Sequence, residues 1–162
     1  MTNHISQTDL IELVKTKKDA LSILDKLVTI EEGAYNLKQS FTQQLEQTFS
    51  EKQKDRILLL CKKQQVHLDN KGHTGVFLRV LQNQIKTLPT VTITIAFSPS
   101  DQFIIDLSEW FLANLGRVVL LDIVVDSTII AGAVISLSGI WTDYSLRKKH
   151  EEHFTPETFH LL

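Results

Sequence analysis

Two hydrophobic periods divide this chain, a helical one up to Leu88 and an alternating one after Pro89. In the first part, Leu10, Leu13, Val14, Leu21, Leu24, Leu27 and Val28 form one long apolar stripe at helical spacing. Ser6, with Asp9 three residues on, reads as its N-terminal cap. Ala34, Leu37, Phe41, Leu45 and Phe49 form a second stripe, parted from the first near Gly33. Ser50 opens a third helix through Ile57, Leu58, Leu60 and Cys61. A turn at Asn70-Lys71-Gly72 precedes a fourth, with Val76, Phe77, Val80, Leu81 and Ile85 inward. Pro89 closes it, because a proline biases the residue before it away from helix.

The second part alternates. Val91, Ile93, Ile95 and Phe97 oppose Thr92, Thr94 and Ala96 on a first strand. Val119, Leu121, Ile123 and Val125 share one face of a second, with Asp122 and Asp126 on the other. Ile129, Ala131, Ala133, Ile135 and Leu137 oppose Ser136 and Ser138 on a third, and Ile140 to Thr142 is a short fourth after Ser138-Gly139. A sheet with one apolar face is covered on that side and wet on the other. The cover is a helix capped by Ser100 and ended by Gly116, with Ile104, Leu107, Phe111 and Leu115 inward and Gln102, Asp106 and Glu109 outward. A last helix starts near Ser145 and runs through Phe154. The expected fold class is α+β: an N-terminal helical bundle over residues 1–88, then a small two-layer α/β domain over 89–162, in the order β–α–β–β–(β)–α. Its joint lies near Lys86 to Thr90.

The run from Val118 to Ile135 is apolar enough to suggest a membrane span. Asp122 and Asp126 would each cost about 2.5–3.5 kcal/mol at a bilayer centre, and the period is two, so it reads as strands. The N-terminal residues lack a secretory signal, and one cysteine suits a reducing compartment, so a cytoplasmic location without direct membrane insertion is expected. Residues 1–89 carry a balance of +3 and residues 90–162 one of −5. Neither is the concentrated basic face of a nucleic-acid protein. The lysines at 15, 17, 18, 52, 54, 62 and 63 and Arg56 are interspersed with acids, as on solvated helix faces.

Candidate chemistry is sparse. His150 and His153 flank two glutamates, but a metal site needs three or four convergent ligands, and only His160 lies near them. His4, His67 and His73 show no partner spacing. Cys61 lies in an apolar helix with no base beside it, so it reads as a buried thiol. Gly132 sits in IIAGAV without a phosphate-loop pattern, and a glycine in a strand permits the close approach of a helix or marks a bulge. Asp122 and Asp126 read as solvated or structural. No catalytic set emerges, no cofactor is expected, and the residues point to a binding or assembly protein.

The stretch VDSTIIAGAVISLSG, followed by DYSLRKK, resembles the C-terminal signature of the delta subunit of bacterial F-type ATP synthases, the family of the oligomycin-sensitivity-conferring protein. That pattern is approximately V-D-P-x-L-I-G-G-x-x-V-x-x-G, then D-x-S-x-x-x-x-L. Asp126, Ile130, Gly132, Val134, Gly139, Asp143 and Ser145 fall on matching positions. The S-P-S-D before a helix ending in L-G, and the strand opening Arg117-Val118-Val119-Leu120, follow the same order over residues 85–154. Ser127 stands where the family has proline, and Ala131 where it has the first glycine of the pair. The N-terminal half is shorter than the family's usual bundle and lacks its R-Y-A-x-A-L opening.

The resemblance implies a non-catalytic peripheral-stalk (stator) subunit of a proton-transporting ATP synthase. Such a subunit is held at the cytoplasmic face of the bacterial plasma membrane as part of the complex. It would bind the N-terminal helices of the alpha subunits and the C-terminal end of the b subunits. The candidate partner surfaces are Leu13, Val14, Leu21 and Leu24 on the first stripe, and the last helix and tail with Phe154 and Phe159. The alternative is a small RNA-binding or other protein-interaction module, against which stand the acidic second half and the lack of a G-x-x-G clamp or an aromatic RNP-type strand. An enzyme of unknown type is a third reading.

Overall fold

The computed structural model describes residues 5–33, 39–129, 131–137 and 139–146. They form a mixed α/β structure with six helices and a four-stranded mixed sheet. Five helices come first: α1 (Gln7–Leu13), α2 (Lys17–Gly33), α3 (Phe41–Thr48), α4 (Glu51–Lys63) and α5 (Lys71–Lys86). Strand β1 (Thr90–Ile95), helix α6 (Asp101–Leu115) and strands β2 (Leu120–Val125), β3 (Ala133–Leu137) and β4 (Ile140–Asp143) follow. Ala34 and Leu37 lie outside the described residues, as does the part beyond Leu146 of the closing helix expected from Ser145 to Phe154.

Local chemistry sets most helix ends. Ser6 accepts from the Asp9 amide, and Ser40 and Gln43 cap α3 reciprocally. Asn70 Oδ1 accepts from the Gly72 and His73 amides, at 2.9 and 3.2 Å, to open α5. Ser100 Oγ accepts from the Phe103 amide at 3.2 Å. Gly116, at a φ of +66°, ends α6 in the left-handed conformation that glycine adopts without strain.

The expected first stripe is broken. Val14 is extended and Thr16 opens a new helix, so residues after it count from a fresh phase. The core face of α2 is Ala20, Ile23, Leu27 and Ile30, while Leu21 and Val28 point outward. A further correction concerns α5, where Leu78 is buried and Val76 is exposed. Leu27, Leu45, Ile57 and Leu81 are fully buried at the centre of this helical core.

The sheet order is β2-β1-β3-β4. β1 pairs parallel with β2 through the α6 crossover and antiparallel with β3, which pairs antiparallel with β4. β1 alternates as expected: Val91, Ile93 and Ile95 are buried in a second core with Phe111, Val119 and Leu121, and Ile104 and Leu107 of α6 pack against it. β1 ends before Phe97, whose half-exposed ring meets Phe103 edge-on at 5.6 Å.

The expected wet face is corrected at β2. Val118 and Leu120 belong to the helical core while Val119 and Leu121 belong to the sheet core, so the beginning of this strand is covered on both sides. Further along, Val124 and Val125 are exposed, although Val125 shares the expected buried parity. The third strand is also shorter than its alternation suggests. Ile129 lies buried before it, and Gly132 precedes its first residue.

Candidate functional site

The residues that carry the family resemblance sit at the β2–β3 connection and the β3–β4 junction. Asp126 follows β2, where its amide donates to the Ile95 carbonyl at 2.8 Å. Its Oδ1 accepts from the Thr128 amide and hydroxyl, at 2.9 and 2.7 Å. This is a local side-chain turn of the kind aspartate favours, and it steers the chain across the end of β1.

At the junction, backbone meets backbone. The Tyr144 amide donates to the Ala133 carbonyl at 2.9 Å, and the Leu146 amide to the Ala131 carbonyl at 2.8 Å. Gly132 lies between these acceptors at a φ of +94°. A Cβ at this position would stand 2.4 Å from the Tyr144 carbonyl oxygen and 2.9 Å from the Ser145 Cα. No other residue type fits there without movement of the backbone. Asp143 Oδ1 accepts from the Ser145 amide at 2.7 Å, and Ser145 is buried. Gly132, Asp143 and Ser145 thus form one structural unit. Val134 pairs with Thr94 on one side and Asp143 on the other, and Gly139 turns the chain between β3 and β4 at a φ of +82°. Ile130 lies outside the described residues.

The candidate partner residues separate. Leu13 and Val14 are buried in the helical core and offer no partner surface. Burial follows from the break after α1, which turns Val14 inward as the chain leaves the helix. Leu24 is partly buried against the same core, and Leu21 is 60% exposed. Phe154 and Phe159 lie outside the described residues.

Other exposed apolar residues escaped the periodicity argument. Ile140 and Trp141 on β4 are 75% and 66% exposed, and Tyr144 and Leu146 beyond them are also exposed. Trp110 on α6 is turned outward beside buried Phe111. The available signal was composition, since both tryptophans of the chain are among them.

Concave surfaces lie elsewhere among the described residues. A cavity of about 210 Å³, lined mostly by apolar side chains, opens between Ile5, Val66 and the α5 residues His73, Val76, Phe77 and Val80. A wider groove of about 650 Å³ runs beside β2, where Lys15, Lys18 and Lys52 face Asp19, Asp101 and Asp122. Its charges are mixed, so it concentrates neither anions nor cations.

Burial pushes the Cys61 thiol up to about 12, so at neutral pH it is protonated and unreactive. His67 of the α4–α5 connection and His73 of α5 approach ring to ring at 5.3 Å. Among the described residues no group of three or more histidine, cysteine or acidic side chains could hold a metal ion. His4, His150, His153 and His160 lie outside them. Among the same residues no helix is long and apolar enough to cross a membrane.

No protein-family model matches the chain, and no curated protein matches it significantly.

Proposed function

We propose that this chain is a non-catalytic peripheral-stalk subunit of an F-type ATP synthase, built as an N-terminal helical bundle and a small α/β domain. The observation that carries the reading is the Gly132–Asp143–Ser145 unit. The signature spacing has a physical cause in this chain: a glycine without Cβ admits the Tyr144–Ser145 backbone, and the aspartate two residues before the serine holds it in place. A matching spacing that builds a structure is stronger support than matching letters.

The role is mechanical. A stator subunit holds the catalytic head against the torque of the rotor, and for that it needs two separate surfaces. Leu21 on α2 and the cavity beside α5 suit the apolar side chains of an amphipathic helix, as an alpha-subunit N-terminus would present. The exposed Ile140, Trp141 and Tyr144 offer aromatic and aliphatic anchors for the b-subunit end. Attachment to the cytoplasmic face of the bacterial plasma membrane would come through those partners.

The test is association of the purified chain with two separate probes from the same organism, measured by calorimetry. One is a peptide of the alpha-subunit N-terminus, and the other is the C-terminal half of the b subunit. Saturable binding to both is expected. Absence of binding to either probe overturns the proposal.

A further inference from the structure

Between α1 and α2 the chain does more than turn, because each residue from Val14 to Lys17 is tied to something else. Val14 is extended (φ −132°, ψ 131°), and its side chain is completely buried in the helical core. The Lys15 carbonyl accepts from the Leu121 amide at 2.9 Å, and Thr16 forms a parallel bridge with Leu121 on the outer edge of β2. The Lys15 ammonium turns back to the Ile11 carbonyl at 2.9 Å, where it meets the negative end of α1. Thr16 caps α2: its Oγ1 accepts from the Asp19 amide at 3.0 Å, and its own amide donates to Asp19 Oδ2 at 3.2 Å. Lys17 pairs with Asp122 of β2 at 2.8 Å.

Neighbouring contacts point the same way. The Val118 amide donates to Gln7 Oε1 of α1 at 2.7 Å. Val118 and Leu120 pack inside the helical core, although more than thirty residues separate them from the last residue of α5. The joint near Lys86 to Thr90 is therefore bridged a second time, by a segment more than seventy residues earlier in the chain.

We propose that Val14–Lys17 is a strap that locks the helices onto the sheet, so that the two parts open together and not about a hinge at Lys86–Thr90. A hinge would require the groups around β2 to change partners. Here a buried valine, an amide–carbonyl pair and an ion pair act on three residues of one four-residue segment, and releasing one strains the others. The strap also shields part of the β2 edge, which would otherwise offer its amides to another chain. The lock rests on contacts within the chain and is independent of which partners the protein has.

Hydrogen exchange resolved by residue, together with calorimetry, tests this on the full chain. In the wild-type protein a single thermal transition is expected. The Leu121 amide, at the edge of the sheet, should then exchange within about tenfold of the Ile93 amide in the central strand, because both wait on the same opening. Two separate transitions, or a Leu121 amide exchanging more than about a hundredfold faster than Ile93, would restore the hinge and overturn the strap. Two glycines inserted between Lys15 and Thr16 should speed exchange at Leu121 by about tenfold or more, the effect of losing one net hydrogen bond and its ordering, while Ile93 stays protected. Unchanged protection at Leu121 in that variant also overturns the proposal. The pair Lys17→Glu and Lys17→Glu with Asp122→Lys provides a gentler check. The single change should speed Leu121 exchange about two- to fivefold and the charge swap should reverse it; exchange that the swap leaves as fast as in the single variant counts against the strap.

Discussion

Replacing Gly132 by alanine would test the β3–β4 junction most directly. The added Cβ would meet the Tyr144 carbonyl oxygen at 2.4 Å and the Ser145 Cα at 2.9 Å, both backbone atoms that cannot rotate away. Two costs add. An L-residue held at a φ of +94° loses about 1–2 kcal/mol. Relieving the contact requires the Tyr144–Ser145 backbone to move away by roughly an ångström, which breaks both flanking hydrogen bonds, each worth about 0.5–1.5 kcal/mol net. The expected local loss is therefore about 2–5 kcal/mol. Because β4 is an edge strand, the protein can lower that cost by releasing β4 while the rest stays folded. The assay must see both levels: urea unfolding for the whole chain, and hydrogen exchange at Tyr144 and Leu146 for the junction. Gly116→Ala is the control, since Gly116 also has a positive φ but has open space where a Cβ would go. It should cost only the conformational part, about 1–2 kcal/mol. If Gly132→Ala left both amides as protected as in the wild type, with stability changed no more than in the control, the close approach would not be what holds the junction.

Three further outcomes follow from the burial and charge pattern. Cys61 should resist an alkylating thiol reagent in the native protein and react at the rate of unfolding, since burial both hides it and raises its pKa to about 12; fast modification without denaturant would contradict this. Glu31 accepts from Arg79 and Gln82 at 2.8 and 3.0 Å, and those hydrogen bonds, Arg79 foremost, hold its carboxyl below the ordinary 4.5. A pKa lowered by folding adds stability above pH 4.5 that is lost as pH falls through the lowered value, so the stability gap between wild type and Glu31→Gln should shrink on acidification; a gap constant from neutral to acid pH would refute it. Leu27→Ala, at a fully buried site, should cost about 2–5 kcal/mol in urea unfolding. Leu21→Ala, at an exposed site, should change stability by less than about 0.5 kcal/mol, and similar losses at both sites would mean the phase of α2 is wrong.

What the sequence determined by itself is local. The caps at Ser6 and Ser100, the helix start at Ser50 and the stop at Gly116 depend on groups within about one helical turn, so their chemistry is written in adjacent letters. The alternation of β1 was equally readable, because a central strand under one helix has one neighbour on its apolar face. The turn at Asp126 is local in the same way, since its partner is two residues away.

Tertiary structure decided the rest. The hydrophobic pattern of residues 10–28 fits one helix, yet the Thr16–Asp19 cap and the docking of Lys15 and Thr16 on β2 together break it, and Leu21 then points outward. Likewise the pattern of β2 assigns Leu120 to the wet face, yet helices from the other end of the sequence cover it. Gly132 reads as a bulge or a place where a helix comes close, but the segment that approaches it is Tyr144–Ser145 at the end of β4, set by strand pairing. Periodicity reports which residues share a face. It does not report what that face meets, because the partner is brought there by the folding of distant chain.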